Sequence, residues 1–138
     1  MTSEDVVFSI LRAKQRTSDF KEYISTVSDV RAVGDYKVEI ITSKPNPILL
    51  NQLSNIFIMS KAWSEKNFAM SPQNWDAGQE TFSATNALGT GPFKITLREP
   101  NTKTVFKRNK HWWGEMKDKS VTQIELMPIK NAATRVAA

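Results

Sequence analysis

The stretch NALGTGPFKITLREPNTKTVFKRNKHWWG, residues 86–114, constrains this chain more than any other. Phe93, Ile95 and Leu97 alternate with Lys94, Thr96 and Arg98, and a period of two puts the three apolar side chains on one face of a strand. Pro100-Asn101 ends the run in a turn, because proline presets φ and asparagine tolerates the left-handed region. TKTVFKRN then returns, and two alternating runs on so short a link pair antiparallel. VTQIELMPI reads as a third strand. The expected unit is one antiparallel sheet of strands near 92–98, 103–109 and 121–128. Ahead of it, Gly89 and Gly91 let the chain turn into the first strand, with Pro92 fixing the approach. GTGPF is neither a Walker motif nor a dinucleotide fingerprint: no Gly-Lys-Ser/Thr follows, and a strand stands where a phosphate-binding helix is needed.

The first half of the chain reads differently. TSEDVVFSILRAKQR is a helix: Thr2 or Ser3 caps it and Glu4 and Asp5 suit the positive end of its dipole. Val6, Ile10 and Ala13, with Val7 and Leu11, give it an apolar stripe. SDFKEYISTV reads as a second, shorter helix with Asp19 and Glu22 at capping-box spacing. VRAVGDYKVEIIT changes period, with Gly34-Asp35 as a two-residue hairpin turn and Tyr36, Val38 and Ile40 on one buried face. Pro47 suits the first turn of a short apolar helix, Ile48 to Leu53. IFIMSKAW is a buried strand or an irregular segment. From Ser64 to Thr85 the sequence is polar and loop-rich, with Trp75 and a helical turn near Gln79–Ser83. At the end, NAATRVAA starts a helix capped by Asn131, cut off after about two turns. The fold class is α+β.

Composition narrows function by exclusion. Among 138 residues no apolar run approaches the roughly 20 that a membrane-spanning helix needs. Met1 leads straight into TSEDVVFSILR, without the pattern of a signal peptide. With no cysteine and a single histidine, His111, neither a disulfide framework nor a usual zinc site is expected. Glu4-Asp5 is explained as helix-start charge, and no nucleophile, base and orienting group can be argued together, so no catalytic residues, no metal ligands and no cofactor are expected. Between Lys94 and Lys119 stand eight Lys/Arg against three Asp/Glu, which is the whole of the net +5; the other eleven of each sign cancel. KRNKHWW within that stretch sets basic residues beside aromatics, the composition of a phosphate-and-base grip, which keeps a basic nucleic-acid-binding domain using the 94–119 patch as the alternative reading. On a strand, however, Trp112 and Trp113 point to opposite faces, so one of them anchors the hairpin and at most one is left to stack.

GTGPFKITLREPNTKTVFKRNKHWWG resembles a segment of the peptide/nickel-type, family 5 extracellular solute-binding proteins of ABC importers: Gly-Thr-Gly-Pro-Tyr, a strand, a turn, and a strand ending Arg-Asn-x-x-Tyr-Trp-Gly. Gly89, Thr90, Gly91, Pro92, Arg108, Asn109, Trp113 and Gly114 fill that pattern, with Phe93 and Trp112 where tyrosines are usual. SEDVVFSILRAK and IELMPIKNAATRVAA resemble two further family segments in the same order, so the resemblance covers essentially the whole chain. It implies an internal fragment of a periplasmic-binding-protein-like II fold. Residues 1–85 are then a small helix-and-hairpin subdomain with a loop-rich end, and 86–138 are strands and the start of a helix belonging to the larger lobe. By the same resemblance, Phe20 and Asn55 stand where relatives present pocket-lining side chains, although packing between helices explains Phe20 equally well. It further implies a non-enzymatic receptor in the periplasm or at the outer face of the membrane. Such a receptor captures an oligopeptide, a dipeptide or a nickel complex, hands it to an ABC permease, and binds no nucleic acid. Apolar surface that other segments of a complete member cover is expected to promote self-association of this piece.

Overall fold

The protein is described by a computed structural model that covers residues 1–78, 80–117 and 121–137. Short helices and two antiparallel sheets give the expected α+β class, and the chain divides into two compact units, Met1–Ala84 and Thr85–Ala138.

In the first unit, α1 (Ser3–Ala13) lies against a hairpin of β1 (Val27–Ala32) and β2 (Val38–Thr42). Ile10, Ala13, Ile24, Val27 and Val30 are buried together, and Val6, Val7, Val38, Ile40, Leu49, Leu53 and Ile56 close around them. The apolar stripe of α1 is therefore largely as its spacing predicts, with one exchange: Leu11 is 48% exposed and Phe8 is buried. The second predicted helix is only a 3₁₀ turn, Lys21–Ile24, anchored by the fully buried Ile24. The hairpin loop is longer than the expected two residues. Val33 N–H donates to the Lys37 carbonyl at 2.8 Å, which leaves Gly34, Asp35 and Tyr36 as the loop. Tyr36 is exposed there, because the sheet face resumes only at Val38. Gly34 has φ +74, which a side chain would resist. Arg31 and Glu39 face each other across the strands and pair at 2.9 Å on the solvent side.

After α2 (Leu49–Leu53) the chain runs irregularly through 56–60 and turns into α3 (Lys61–Lys66). Residues 56–60 of IFIMSKAW thus take the irregular alternative while 61–63 open α3, and beyond Ile56 the apolar run is not buried: Phe57 and Ile58 are exposed. Ser60 caps α3 by accepting the Trp63 N–H at 3.3 Å. At the other end Phe68 N–H donates to Glu65 O at 3.3 Å and Ala69 N–H to Ser64 O at 2.8 Å, the two bonds of a Schellman cap. The residue in the left-handed position is Phe68, at φ +54 and 93% exposed, where glycine is usual. The unit ends at α4 (Phe82–Thr85), whose Phe82 ring packs against Trp63 at 5.7 Å. Part of the expected turn near Gln79–Ser83 lies outside the described residues, at Gln79.

What holds 59–71 in place is a polar stripe on α1 with helical spacing, Asp5, Ser9 and Arg12. Asp5 Oδ1 accepts the Lys61 N–H at 2.9 Å, while Oδ2 accepts the Thr2 N–H at 2.8 Å. Ser9 Oγ accepts the Met59 N–H at 2.8 Å and donates to Asp5 O at 2.7 Å. Arg12 donates to the carbonyls of Ala69 and Ser71, at 3.2 and 2.9 Å. An irregular segment cannot satisfy its own backbone polar groups, so the helix does it for them. The Lys61 and Thr2 amides hold the Asp5 carboxyl below its ordinary value of 3.8.

The second unit is one antiparallel sheet in the order β3 (Phe93–Glu99), β4 (Lys103–Arg108), β5 (Gln123–Leu126), the three-stranded unit expected from the alternation. Thr102 N–H closes the Pro100-Asn101 turn onto Glu99 O at 3.1 Å, with Asn101 at φ +63. The alternation is broken once. Ile95 faces Phe106 and Leu97 faces Val105, so Thr96 is a bulge and Leu97 crosses to the other face. Phe93, Ile95, Phe106, Ile124 and Leu126 share one face by register. Buried Asn109 locks the sheet to the glycine turn. Its N–H donates to Pro92 O at 2.8 Å, its Nδ2 donates to Gly91 O at 2.9 Å, and its Oδ1 accepts the His111 N–H at 3.1 Å. The last helix, α5 (Ala132–Ala137), is capped by Asn131 as expected, through the Thr134 N–H at 3.1 Å.

Three stability measurements follow from these contacts. Phe68→Gly removes the left-handed penalty at an exposed site and is expected to raise unfolding stability by about 1 kcal/mol in urea denaturation; no gain would show that the Phe68 ring contributes as much as its backbone costs. Asn109→Ala leaves the Gly91 carbonyl and the His111 amide without their partner and should cost the second unit about 1–3 kcal/mol. The third is a pH dependence. A carboxyl with a depressed folded pKa stabilises above its unfolded value, and that contribution is lost as pH falls through the folded value. Asp5→Asn should therefore lower the denaturation midpoint at neutral pH, with the gap closing as pH falls below the ordinary value of 3.8 and through the lower folded value. A gap unchanged from pH 7 to acid would remove Asp5 from this role.

Candidate functional site

Among the described residues no group of three His, Cys, Asp or Glu side chains is placed to hold a metal ion. His111 is exposed on the turn after β4. The basic stretch does not form one surface. By register Lys94 and Lys107 face each other on one side of the sheet with Val105, while Arg98 and Arg108 lie on the other with Phe106. Arg108 donates to the Lys117 carbonyl at 3.4 Å, and Lys119 lies outside the described residues. Trp112 and Trp113 are not on a strand. They follow a turn, so their rings meet at 5.9 Å instead of pointing to opposite faces. Trp112 is half-buried and Trp113 exposed, and a Cβ on Gly114 would stand 2.6 Å from the Trp112 ring. The anchoring tryptophan is Trp112, and Gly114 is the residue that makes room for it.

Phe20 and Asn55 both fall in the first unit, on elements packed against each other: Phe20 heads the 3₁₀ turn and Asn55 follows the C-cap of α2. Ser18, itself buried, fixes the start of that turn by accepting the Phe20 N–H on its hydroxyl at 3.2 Å. Ile24 faces the core four residues later, which leaves Phe20 at 42% exposure with its ring 6.3 Å from that of Tyr23. Asn55 is half-buried. Its Nδ2 donates to the carbonyls of Asn51 and Gln52, at 3.2 and 3.3 Å, and so closes the end of α2. The carboxamide donors are thus spent locally.

Two aromatic neighbours extend this surface beyond the sequence reading. Tyr23 lies beside Phe20, as described, and Trp75, 66% exposed, donates its indole N–H to Asp19 Oδ2 at 3.3 Å. A lone tryptophan in a polar loop was the available signal for Trp75. Its partner lies 56 residues away, and no local pattern reports that.

Comparison with known proteins bears on all of this. A family model described as bacterial extracellular solute-binding proteins, family 5 middle, matches residues 1–138. A probable peptide-binding protein, YejA, of Agrobacterium fabrum is 25% identical over 116 residues, which cover 83% of this chain and 18% of that protein. The crystal structure of the binding protein MoaA from A. tumefaciens R10, in complex with mannopinic acid, superposes with a TM-score of 0.77 at 25% identity. That match covers 99% of this chain and 26% of MoaA. NikZ from Campylobacter jejuni, solved in complex with Ni(L-His), gives a TM-score of 0.74 at 22% identity over 99% of this chain and 26% of its own. The chain thus spans about a fifth of the length of YejA and about a quarter of the solved structures. With the family model matched from end to end, the chain belongs to the family 5 bacterial extracellular solute-binding proteins.

Proposed function

We propose that this chain is part of an extracytoplasmic receptor that captures a peptide or a related small solute and delivers it to an ABC-type permease in the membrane. The proteins it is similar to support that class: YejA is named for peptides, MoaA holds mannopinic acid and NikZ a nickel–histidine complex. All three are small polar solutes. Residues 1–85 belong, in this reading, to a small subdomain, and 86–138 to the larger lobe.

The single observation that carries the site is Phe20. An aromatic ring left 42% exposed at the head of a turn whose Ile24 is wholly buried is a surface held ready for contact. Phe20 supplies an apolar wall, and Asn55 offers its Oδ1 as acceptor to an N–H of the solute. The apolar sheet face of Phe93, Ile95, Phe106, Ile124 and Leu126 is a surface for the remaining polypeptide of the receptor. Left bare, with Ile124 and Leu126 exposed, it drives this piece to self-associate.

One wall is a poor binder. Solute sites enclose roughly 70–90% of the ligand, and each charge-assisted hydrogen bond missing from the other wall forfeits about 1.5–3 kcal/mol, so losing two or three removes several decades of affinity. Calorimetry of this chain against di- to pentapeptides and nickel chelates should show binding no tighter than roughly millimolar. In the full-length receptor, Phe20→Ala should weaken capture of its solute by about tenfold or more, the contribution of one buried aromatic contact. Micromolar binding by the 138-residue chain alone would overturn the two-walled reading. An unchanged affinity of the full-length Phe20→Ala variant would remove Phe20 from the site.

A further inference from the structure

The outer side of α1 carries a recess, separate from Phe20 and Asn55. It is a groove of about 420 Å³ between α1, the start of α3 and the Met70-Ser71 segment. Val7, Leu11 and Met70 give it an apolar lining over buried Phe8, and its size falls in the range of roughly 300–1,000 Å³ usual for small-molecule sites. Its charges are unbalanced. Glu4 at one end is paired with Lys61 at 2.9 Å. Arg12 at the other end has no carboxylate partner among the described residues. Its Nε and Nη2 donate to two carbonyls and, at 3.4 Å, to the Ser83 hydroxyl, all neutral acceptors, and Nη1 has no partner among the described residues.

A half-buried guanidinium with only neutral acceptors keeps an uncompensated charge and two free N–H donors, and the stronger partner for both is an anion. Burial also disfavours its charged form, and an anionic neighbour relieves that. Beside it the groove offers methyl and thioether surface, which suits a hydrocarbon tail and leaves a fully hydrated anion such as sulfate without complement. We propose that this groove is a binding site for a short aliphatic carboxylate, with the carboxylate on Arg12 Nη1 and the chain along Val7, Leu11 and Met70. It does not depend on the receptor reading of Phe20.

Hexanoate is the probe and the Met70 methyl group the reporter, in this chain labelled with [13C-methyl]methionine. The Met70 resonance should shift saturably with a dissociation constant of roughly millimolar order, as expected for so few ligand atoms. Hexanol, with the same tail and no charge, should bind about tenfold more weakly or worse, and Arg12→Gln should cost hexanoate a comparable factor. Because Arg12 also holds the 69–71 backbone, a second variant is needed that leaves those bonds in place. Leu11→Glu changes a half-exposed residue, should leave circular dichroism unchanged, and should abolish the titration by placing a negative charge over the apolar lining. Hexanol binding as tightly as hexanoate, a folded Leu11→Glu chain that titrates like the parent, or no saturation by about 50 mM would each overturn the site.

Discussion

The first unit depends on a helix that has two kinds of face. Toward the hairpin α1 presents Val6, Ile10 and Ala13, and burial of that stripe holds it on β1 and β2. Toward residues 59–71 it presents Asp5, Ser9 and Arg12, three polar residues at positions i, i+4 and i+7. Burial alone cannot fix an irregular segment, because it does not choose among backbone conformations. Hydrogen bonds from three successive turns of a rigid helix do choose. Met59, Lys61, Ala69 and Ser71 are each tied at a backbone atom, so the segment between the ends is held at both. The same ties place Met70 over the groove and start α3 at Lys61, so the recess beside α1 is a consequence of the seam.

The second unit has a lighter version of this device. Its sheet has three strands, and its apolar face by register remains partly accessible, so packing inside the unit is thin. Asn109 compensates locally by ending β4 with bonds to Gly91, Pro92 and His111, which tie the strand's end to the turn that begins β3. Two glycines and a proline before a strand, and an asparagine after its partner, are therefore one structural feature separated in sequence. The family pattern Gly-Thr-Gly-Pro followed at a distance by Arg-Asn has a physical reason here: the asparagine side chain is the clasp of the glycine turn.

How far the sequence announced this differs by kind of contact. Period and turn chemistry announced the strands at Phe93–Glu99, Lys103–Arg108 and Gln123–Leu126, the Pro100-Asn101 turn and the Asn131 cap, since each is a local matter of φ, side-chain alternation or one short hydrogen bond. The bulge at Thr96 was not legible, because inserting a residue leaves an alternating string alternating. Leu11 looked like part of the apolar stripe and Phe8 did not, because the stripe was drawn for one covered face and α1 has two. Asp5 read correctly as a helix-start charge, yet its second bond goes to an amide 56 residues away. The Schellman cap at Phe68 was hidden for the opposite reason: its usual signature is a glycine, and this sequence has a phenylalanine there.

The surface around Phe20 shows the same limit and how it is overcome. Resemblance proposes Phe20 and Asn55 for a solute wall, and the structure sets their elements side by side, but neither by itself says what chemistry such a wall would prefer. The neighbours do. Tyr23 sets a second ring beside Phe20, Asp19 accepts the Trp75 indole N–H, and Asn55 spends its Nδ2 donors on the carbonyls of Asn51 and Gln52. In the proposed wall, aromatic faces, a carboxylate and a carboxamide oxygen together would favour a solute group that is planar or bears N–H donors over one that is anionic. The groove on α1 has the reverse preference, since its unpaired charge is the Arg12 guanidinium. A groove whose cation has only neutral acceptors and an aromatic surface with an acidic neighbour are not interchangeable sites for one ligand, because they favour groups of opposite sign.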